Sequence, residues 1–266
     1  MKIIIILLLI CCTLVAQQNK SVVKIEYSET IKYLPTIVNY HSSTLYVQNE
    51  FSYYESVYLK TEKISQNEGE DIIMVNSSIN KLNKEVHINN KTKQLTENLF
   101  EHIFLKKSFS VTDDLPRMKW IFLKDEKKFS NFICKKAKTT FRGRTYIAWY
   151  TEKIPITAGP WKLNGLPGLI LSAEDEMGFY KWEVKNIKYP YIEKTINLKD
   201  TYAKRNKYKK TTFKAFDEMY IAAINTKIQI VKARSSNRVG SVASYSYNTF
   251  QNREPINEWR TQKEFN

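Results

Sequence analysis

Gly159-Pro160-Trp161-Lys162-Leu163-Asn164-Gly165-Leu166-Pro167-Gly168-Leu169-Ile170-Leu171 runs between two segments, Thr145–Thr151 and Gly168–Glu174, rich in residues that favour strands. Alternation at period two marks half-buried strands. Residues 152–167 therefore connect neighbouring strands, and they exceed the few residues of an ordinary hairpin loop. Composition dictates how this connection is shaped. Asn164-Gly165 is a turn pair, Pro167 restricts Leu166 to extended backbone, and Gly168 allows close packing where the apolar strand begins. Gly143, Gly159, Gly165, Gly168 and Gly178 are five of the chain's seven glycines, and Pro155, Pro160 and Pro167 are three of its seven prolines. Defined turns are thus concentrated in one region. Two uses follow: a loop folded back on the sheet, with Trp161, Leu163 and Leu166 covering the core edge, or a rigid recognition surface held by a scaffold. A phosphate loop is excluded, because Gly168 opens an apolar strand instead of a helix bearing Gly-Lys-Ser/Thr.

Most of the chain outside this connection alternates in the same way, with Val, Ile, Tyr, Phe and Thr. Strands are expected at Val22–Thr30, Thr44–Asn49, Tyr53–Lys63, Asp71–Asn76, Glu85–Asn89 and Glu101–Phe109. Further strands are expected at Lys119–Leu123, Ser130–Thr139, Thr145–Thr151, Gly168–Glu174 and Phe179–Lys188, with reversals at Arg142-Gly143 and Met177-Gly178. From about Thr212 to Val231, Phe213, Phe216, Met219, Tyr220, Ala223, Ile224 and Ile228 recur at helical spacing, and Thr211 or Thr212 caps the start. The expected fold is mainly β: a single antiparallel curved sheet or half-barrel with one covering C-terminal helix. Residues 17–234 would form this domain, with its core at 130–190, and residues 235–266 a polar tail. A curled sheet would present a concave face able to hold an apolar ligand or a peptide.

The run Gly-Leu-Pro-Gly-Leu-Ile at 165–170 resembles the motif that names the GLPGLI family of Bacteroidota envelope proteins. Similar elements precede it in order: Cys134-Lys135-Lys136-Ala137, Phe141-Arg142-Gly143-Arg144, Ala148-Trp149-Tyr150-Thr151, Ile154-Pro155-Ile156 and Gly159-Pro160-Trp161. The tail Asn252-Arg253-Glu254-Pro255-Ile256 is similar, more loosely, to an Asn-Asn-Pro-Ile element, which Arg253 and Glu254 interrupt here. The resemblance implies an exported protein with no established enzymatic activity. It also implies an association with TonB-dependent outer-membrane receptors, hence a partner instead of a chemistry.

The N-terminus agrees with export. Lys2 is followed by the apolar run Ile3–Ile10, then Cys11, Cys12 and Ala16, before Gln17 turns the chain polar. That run is too short to span a bilayer and reads as a signal peptide cleaved after Ala16, with acylation at Cys11 or Cys12 as the alternative. Periplasmic or outer-membrane association follows, with no transmembrane segment after cleavage. Cleavage leaves Cys134 as the sole cysteine, so no intramolecular disulfide framework can form. Within Phe132-Ile133-Cys134 it reads as a small buried hydrophobe.

A formal net charge of +15 favours anionic partners such as an anionic envelope surface, whereas nucleic acid is not expected outside the cytoplasm. Lys204, Arg205, Lys207, Lys209 and Lys210, interleaved with Tyr202 and Tyr208, form the strongest basic cluster and read as a solvated loop. His41, His87 and His102 lie on different expected elements and have no metal-ligand spacing, so no metal or other cofactor is expected. Glu174, Asp175 and Glu176 read as a solvated turn. The expected contact surface comprises Trp149, Trp161, Lys162, Leu166 and Pro167. Gly159, Gly165 and Gly168 shape the backbone there, and Cys134 packs beneath. A secreted hydrolase, peptidase or glycan-active, is one rival reading, favoured if a histidine meets a carboxylate or hydroxyl in a cleft, and a basic polyanion-binding protein is another, favoured by steep loss of affinity with salt.

Overall fold

In the computed structural model, residues 22–34, 37–63, 84–100, 105–191, 198, 208–235 and 254 are described. The expected leader, the expected strand Asp71–Asn76, His102, Tyr202, Lys204, Arg205 and Lys207 lie outside them. The architecture is mainly β, one large curved open sheet of twelve strands that does not close into a barrel. In chain order these are β1 (Val22–Leu34), β2 (Ile37–Gln48), β3 (Phe51–Lys63), β4 (Lys84–Asn89), β5 (Gln94–Leu99) and β6 (Phe109–Asp114). They continue with β7 (Ile121–Phe129), β8 (Phe132–Phe141), β9 (Arg144–Thr151), β10 (Leu169–Asp175), β11 (Tyr180–Tyr191) and β12 (Lys209–Thr212), followed by helix α1 (Phe213–Ser235). The spatial order is β12-β6-β5-β4-β3-β2-β1-β11-β10-β9-β8-β7.

Curvature is legible in one hydrogen bond. Trp182 on β11 donates its Nε1–H to the Tyr54 hydroxyl on β3 at 3.0 Å, although β1 and β2 lie between. Three strand spacings amount to about 14 Å in a flat sheet, too far for two side chains standing perpendicular to it. The strands must curl toward the face that carries both rings. Along that face run Val23, Ile25, Tyr27, Glu29 and Ile31 of β1, all buried, while Lys24, Glu26 and Ser28 turn the other way.

The connection between β9 and β10 fills the hollow. Trp161 stacks on Trp182 with ring centroids 6.3 Å apart and planes 6° from parallel, and Phe141 and Tyr146 lie 6.0 Å from it. Leu163 and Leu166 join the same core. Trp161 has a left-handed backbone, φ 56°. Such a conformation costs a non-glycine residue about 1–3 kcal/mol, whereas truncating a buried Trp costs about 3–5 kcal/mol, so packing of the indole outweighs the strain. Main-chain bonds stitch the loop to the sheet: Leu169 N–H donates to Ile154 O at 3.1 Å, and Ile170 N–H to Ala158 O at 3.0 Å. From β1, the Tyr27 hydroxyl donates to Ile170 O at 2.7 Å.

Farther along the same face, α1 covers β6. Phe216, Tyr220 and Ile224, one turn apart, pack on Phe109 and Val111. The Thr212 hydroxyl accepts from Ala215 N–H at 3.3 Å, so of the two expected caps it is Thr212 that serves.

Three expectations need correction. Glu101–Phe109 is not a strand over 105–108: Lys106 takes φ 51°, which breaks extension, and pairing begins only at Phe109. Gln94–Leu99, which falls in none of the expected strands, is the strand β5, with Leu95, Thr96, Glu97 and Asn98 all buried. The sheet is not wholly antiparallel, because β12 pairs with β6 in parallel, Lys209 opposite Phe109.

At Gly168 the chain lies hard against the end of β9. A Cβ built there would lie 2.2 Å from the Thr151 carbonyl oxygen, an overlap with backbone that cannot turn aside. Gly168→Val should therefore destabilise the fold by about 3 kcal/mol or more, while the exposed Lys209→Ala stays within about 0.5 kcal/mol. Urea titration of the two variants checks this; equal midpoints would refute the packing described.

Candidate functional site

The five residues expected at a contact surface are divided by the structure. Trp161, Lys162 and Leu166 are each 1% exposed, whereas Pro167 is exposed and Trp149 half-buried on the outer face of β9. Two of the three covered residues are apolar and fill the hollow. The third, Lys162, is held by charge. Its Nζ lies 2.9 Å from Glu97 on β5 and 2.8 Å from Glu254 in the C-terminal tail. Glu254 also pairs at 2.6 Å with Arg142, whose other nitrogen lies 2.9 Å from Asp113. The Phe213 ring at the start of α1 sits between the two cations, 4.6 Å from Lys162 Nζ and 4.5 Å from the Arg142 guanidinium carbon. Loop, hairpin, sheet, helix and tail thus meet at one enclosed chain of charges.

Burial by itself would push the Lys162 ammonium below its ordinary value, but the carboxylates of Glu254 and Glu97 outweigh it and hold the pKa above 10.5. Gly159, Gly165 and Gly168 stand at tight points of the loop. A Cβ at Gly159 would lie 2.6 Å from Ile170 Cδ1, and Gly165 has φ 90° beside Trp120, whose Nε1–H donates to Asn164 O at 2.8 Å. Cys134 is buried, and that burial pushes its thiol up to about 11. The thiol therefore stays protonated near neutrality. Asp175, expected in a solvated turn, is instead enclosed: it pairs with Arg144 at 2.6 Å and accepts from Tyr180 N–H at 2.6 Å.

Sequence reasoning missed a polar row on the hollow face. The Glu29 carboxylate, fully buried, accepts from Tyr54 at 2.7 Å and from Ser56 at 2.5 Å. Ser56 Oγ also lies 3.3 Å from His41 Nδ1. Alternation does mark these positions as inward, but nothing in a linear pattern shows that strands β1, β2 and β3 set them side by side. His41 thus meets a hydroxyl, though Ser42, its neighbour in sequence, is exposed on the opposite face. His87 Nε2 lies 4.0 Å from Glu85 on the outer face, beside a small cavity of about 60 Å³ lined by Phe51, Ser52, Thr96 and Leu198 among others. No group of three or more metal-ligating side chains occurs among the described residues.

The last feature is the edge. Strand β7 ends the sheet and is exposed along most of its length. Ile121, Phe122 and, on β8, Ile133 are 62%, 60% and 61% exposed. Phe122 meets Tyr150 edge to face, and Trp149 lies beside Phe129. Lys127 and Lys136 stand 5.9 Å and 5.5 Å from the Trp149 ring.

A family model described as "Protein of unknown function (Porph_ging)" matches residues 80–172, about a third of the chain. No curated protein matches it. Among solved structures, PNGF-II is 16% identical over 75% of this chain and 33% of its own, with a TM-score of 0.48. This chain therefore spans about a third of the PNGF-II chain it matches. A domain described as an outer membrane lipoprotein-sorting protein from Vibrio parahaemolyticus is 7% identical over 71% of this chain and 93% of its own, TM-score 0.32. A DUF1329 family protein from Desulfovibrio piger is 10% identical over 73% and 94%, TM-score 0.33. No helix among the described residues is long and apolar enough to cross a membrane.

Lys162→Met would remove the buried ammonium that Glu97 and Glu254 share and leave Glu254 to Arg142, a loss of about 3–5 kcal/mol at pH 7. Because the folded-state pKa is raised, the lysine's contribution is complete below 10.5 and fades as pH rises through the higher folded value. Denaturation of wild type and variant from pH 7 to pH 11.5 should show a constant gap that narrows only above 10.5. A gap that closes between pH 7 and 9 would contradict the pairing.

Proposed function

We propose that this chain is an exported, non-enzymatic envelope protein that docks a partner on its outer surface and its β7–β8 edge, around Trp149 and Pro167. One observation carries the reading: the hollow is occupied by the protein's own Trp161, Leu163 and Leu166, while large apolar side chains at β7 and β8 face solvent. A carrier of an apolar ligand needs a vacant concavity, and this one is packed. Large apolar side chains left in water along an open sheet edge suit a contact surface. The leader at 1–16 and the Gly-Leu-Pro-Gly-Leu-Ile motif support the compartment, and the motif's family supports an outer-membrane receptor of the TonB-dependent type as partner. Phe122→Ser, at an exposed site, should abolish cross-linking of the tagged protein to an envelope partner that Lys209→Ala retains. Identical cross-linked species from both variants would remove the edge from consideration.

A hydrolase reading has one observation in its favour, the contact of Ser56 with His41 and Glu29. All three are enclosed, and the shorter bond runs from the hydroxyl to the carboxylate, which positions the serine as a link in a structural network. A fluorophosphonate probe should leave the folded protein unlabelled. Labelling that disappears in Ser56→Ala would establish a nucleophile and reverse the assignment.

A further inference from the structure

We infer that the free edge of β7 takes an extended, acidic segment of a partner chain as a thirteenth strand. This rests on the docking surface proposed above and specifies what binds there. β7 has a neighbour on one side only, so alternate N–H and C=O groups along its other side lack a strand partner among the described residues. An added strand satisfies them, which is how sheet edges capture extended peptides. The other edge is a poorer template: β12 is four residues long, against nine for β7.

Charge sets the chemistry of the added strand. β7 carries Lys124, Lys127 and Lys128 against Asp125 and Glu126. Asp125 lies 3.7 Å from Lys136 of β8, whereas Glu126 only stands opposite Lys135 in the ladder, whose ammonium pairs with Glu152 at 2.7 Å. The three lysines have no carboxylate partner among the described residues, and all are exposed. Lys127 is directed across Phe129, 4.9 Å from the ring centroid. A strand laid alongside would set its own side chains opposite these, and carboxylates there form cross-strand pairs with the lysines. Lys127 and Lys128, opposite Cys134 and Ile133, project to opposite faces, and Phe122, opposite Ala137, shares the face of Lys128. An extended segment carrying carboxylates on both faces meets both lysines.

The probe is a fluorescent nonapeptide of glutamate and valine in which adjacent glutamates project carboxylates from both faces, compared with the same sequence N-methylated at every residue. The parent should bind the full chain with an affinity that falls with salt, and hydrogen exchange should slow at β7 amides. N-methylation, which removes every backbone donor but no charge, should weaken binding at least tenfold. The double variant Lys127→Glu/Lys128→Glu should do the same, with an unchanged melting midpoint, while Lys209→Glu on the opposite edge has no effect.

No binding by the parent peptide would overturn the inference, as would equal binding of the methylated peptide, which would indicate a charged surface only. A dimer in sedimentation that protects β7 without peptide, and that peptide does not dissociate, would assign the edge to a second copy of this chain. Should the peptide fail while Phe122→Ser still abolishes partner cross-linking, the docking surface stands and strand addition falls. If both fail, the surface itself is wrong.

Discussion

A curved sheet exposes more apolar area on its hollow face than its own strands can cover, and here the chain supplies the cover from within. The stack of Trp161 on Trp182 is the contact on which that solution turns. Trp182 spans β1 and β2 to reach Tyr54, and Tyr54 in turn holds Glu29, so the indole that receives the loop also fixes how tightly the sheet curls. The loop, the curvature and the buried polar row are therefore one structural decision. Displacing the loop would uncover two tryptophans and leave the Lys162 charges facing a vacated hollow.

Those charges complete the closure. An ammonium 1% exposed is tolerated only because carboxylates come from two distant parts of the chain, Glu97 on β5 and Glu254 in the tail. Buried pairs rarely add stability over apolar packing, but leaving one partner alone is costly. The arrangement therefore penalises partly assembled states in which the loop is seated and the tail is not, and it makes closure of the hollow cooperative among loop, hairpin, helix and tail.

Much of this was legible in the residues. Period-two alternation located most of the strands, the apolar spacing located α1 almost to its ends, and the density of Gly and Pro singled out the connection that fills the hollow. What escaped has physical causes. Strand β5 is buried on both faces, so Gln94–Leu99 lacks the alternation of a half-buried strand. β12 is so polar that Lys209–Thr212 reads as loop, and its parallel pairing depends on a long return that no local pattern records. Glu254 was visible only as an interruption of a tail element, although the interrupting carboxylate is what reaches Arg142 and Lys162. Lys162 was misread for the converse reason: a lysine in a loop signals solvent until its partners are known. Glu29, His41 and Ser56 lie on three strands and become neighbours only through register.

Filling the interior with the chain's own side chains relocates whatever binding the protein performs to its periphery, and the two edges are not equivalent there. An open edge invites pairing with copies of itself, and proteins guard such edges with charge and bulges. β7 has both, a register shift between Phe122 and Glu126 and three exposed lysines, with Asp125 already engaged by Lys136 of β8. A second β7 laid against it would bring further lysines to the same edge, so the guard acts against self-association. The same lysines do not oppose a strand of opposite charge. An edge defended in this manner is closed to its own kind and open to an acidic segment, and specificity arises from what the edge repels as much as from what it attracts.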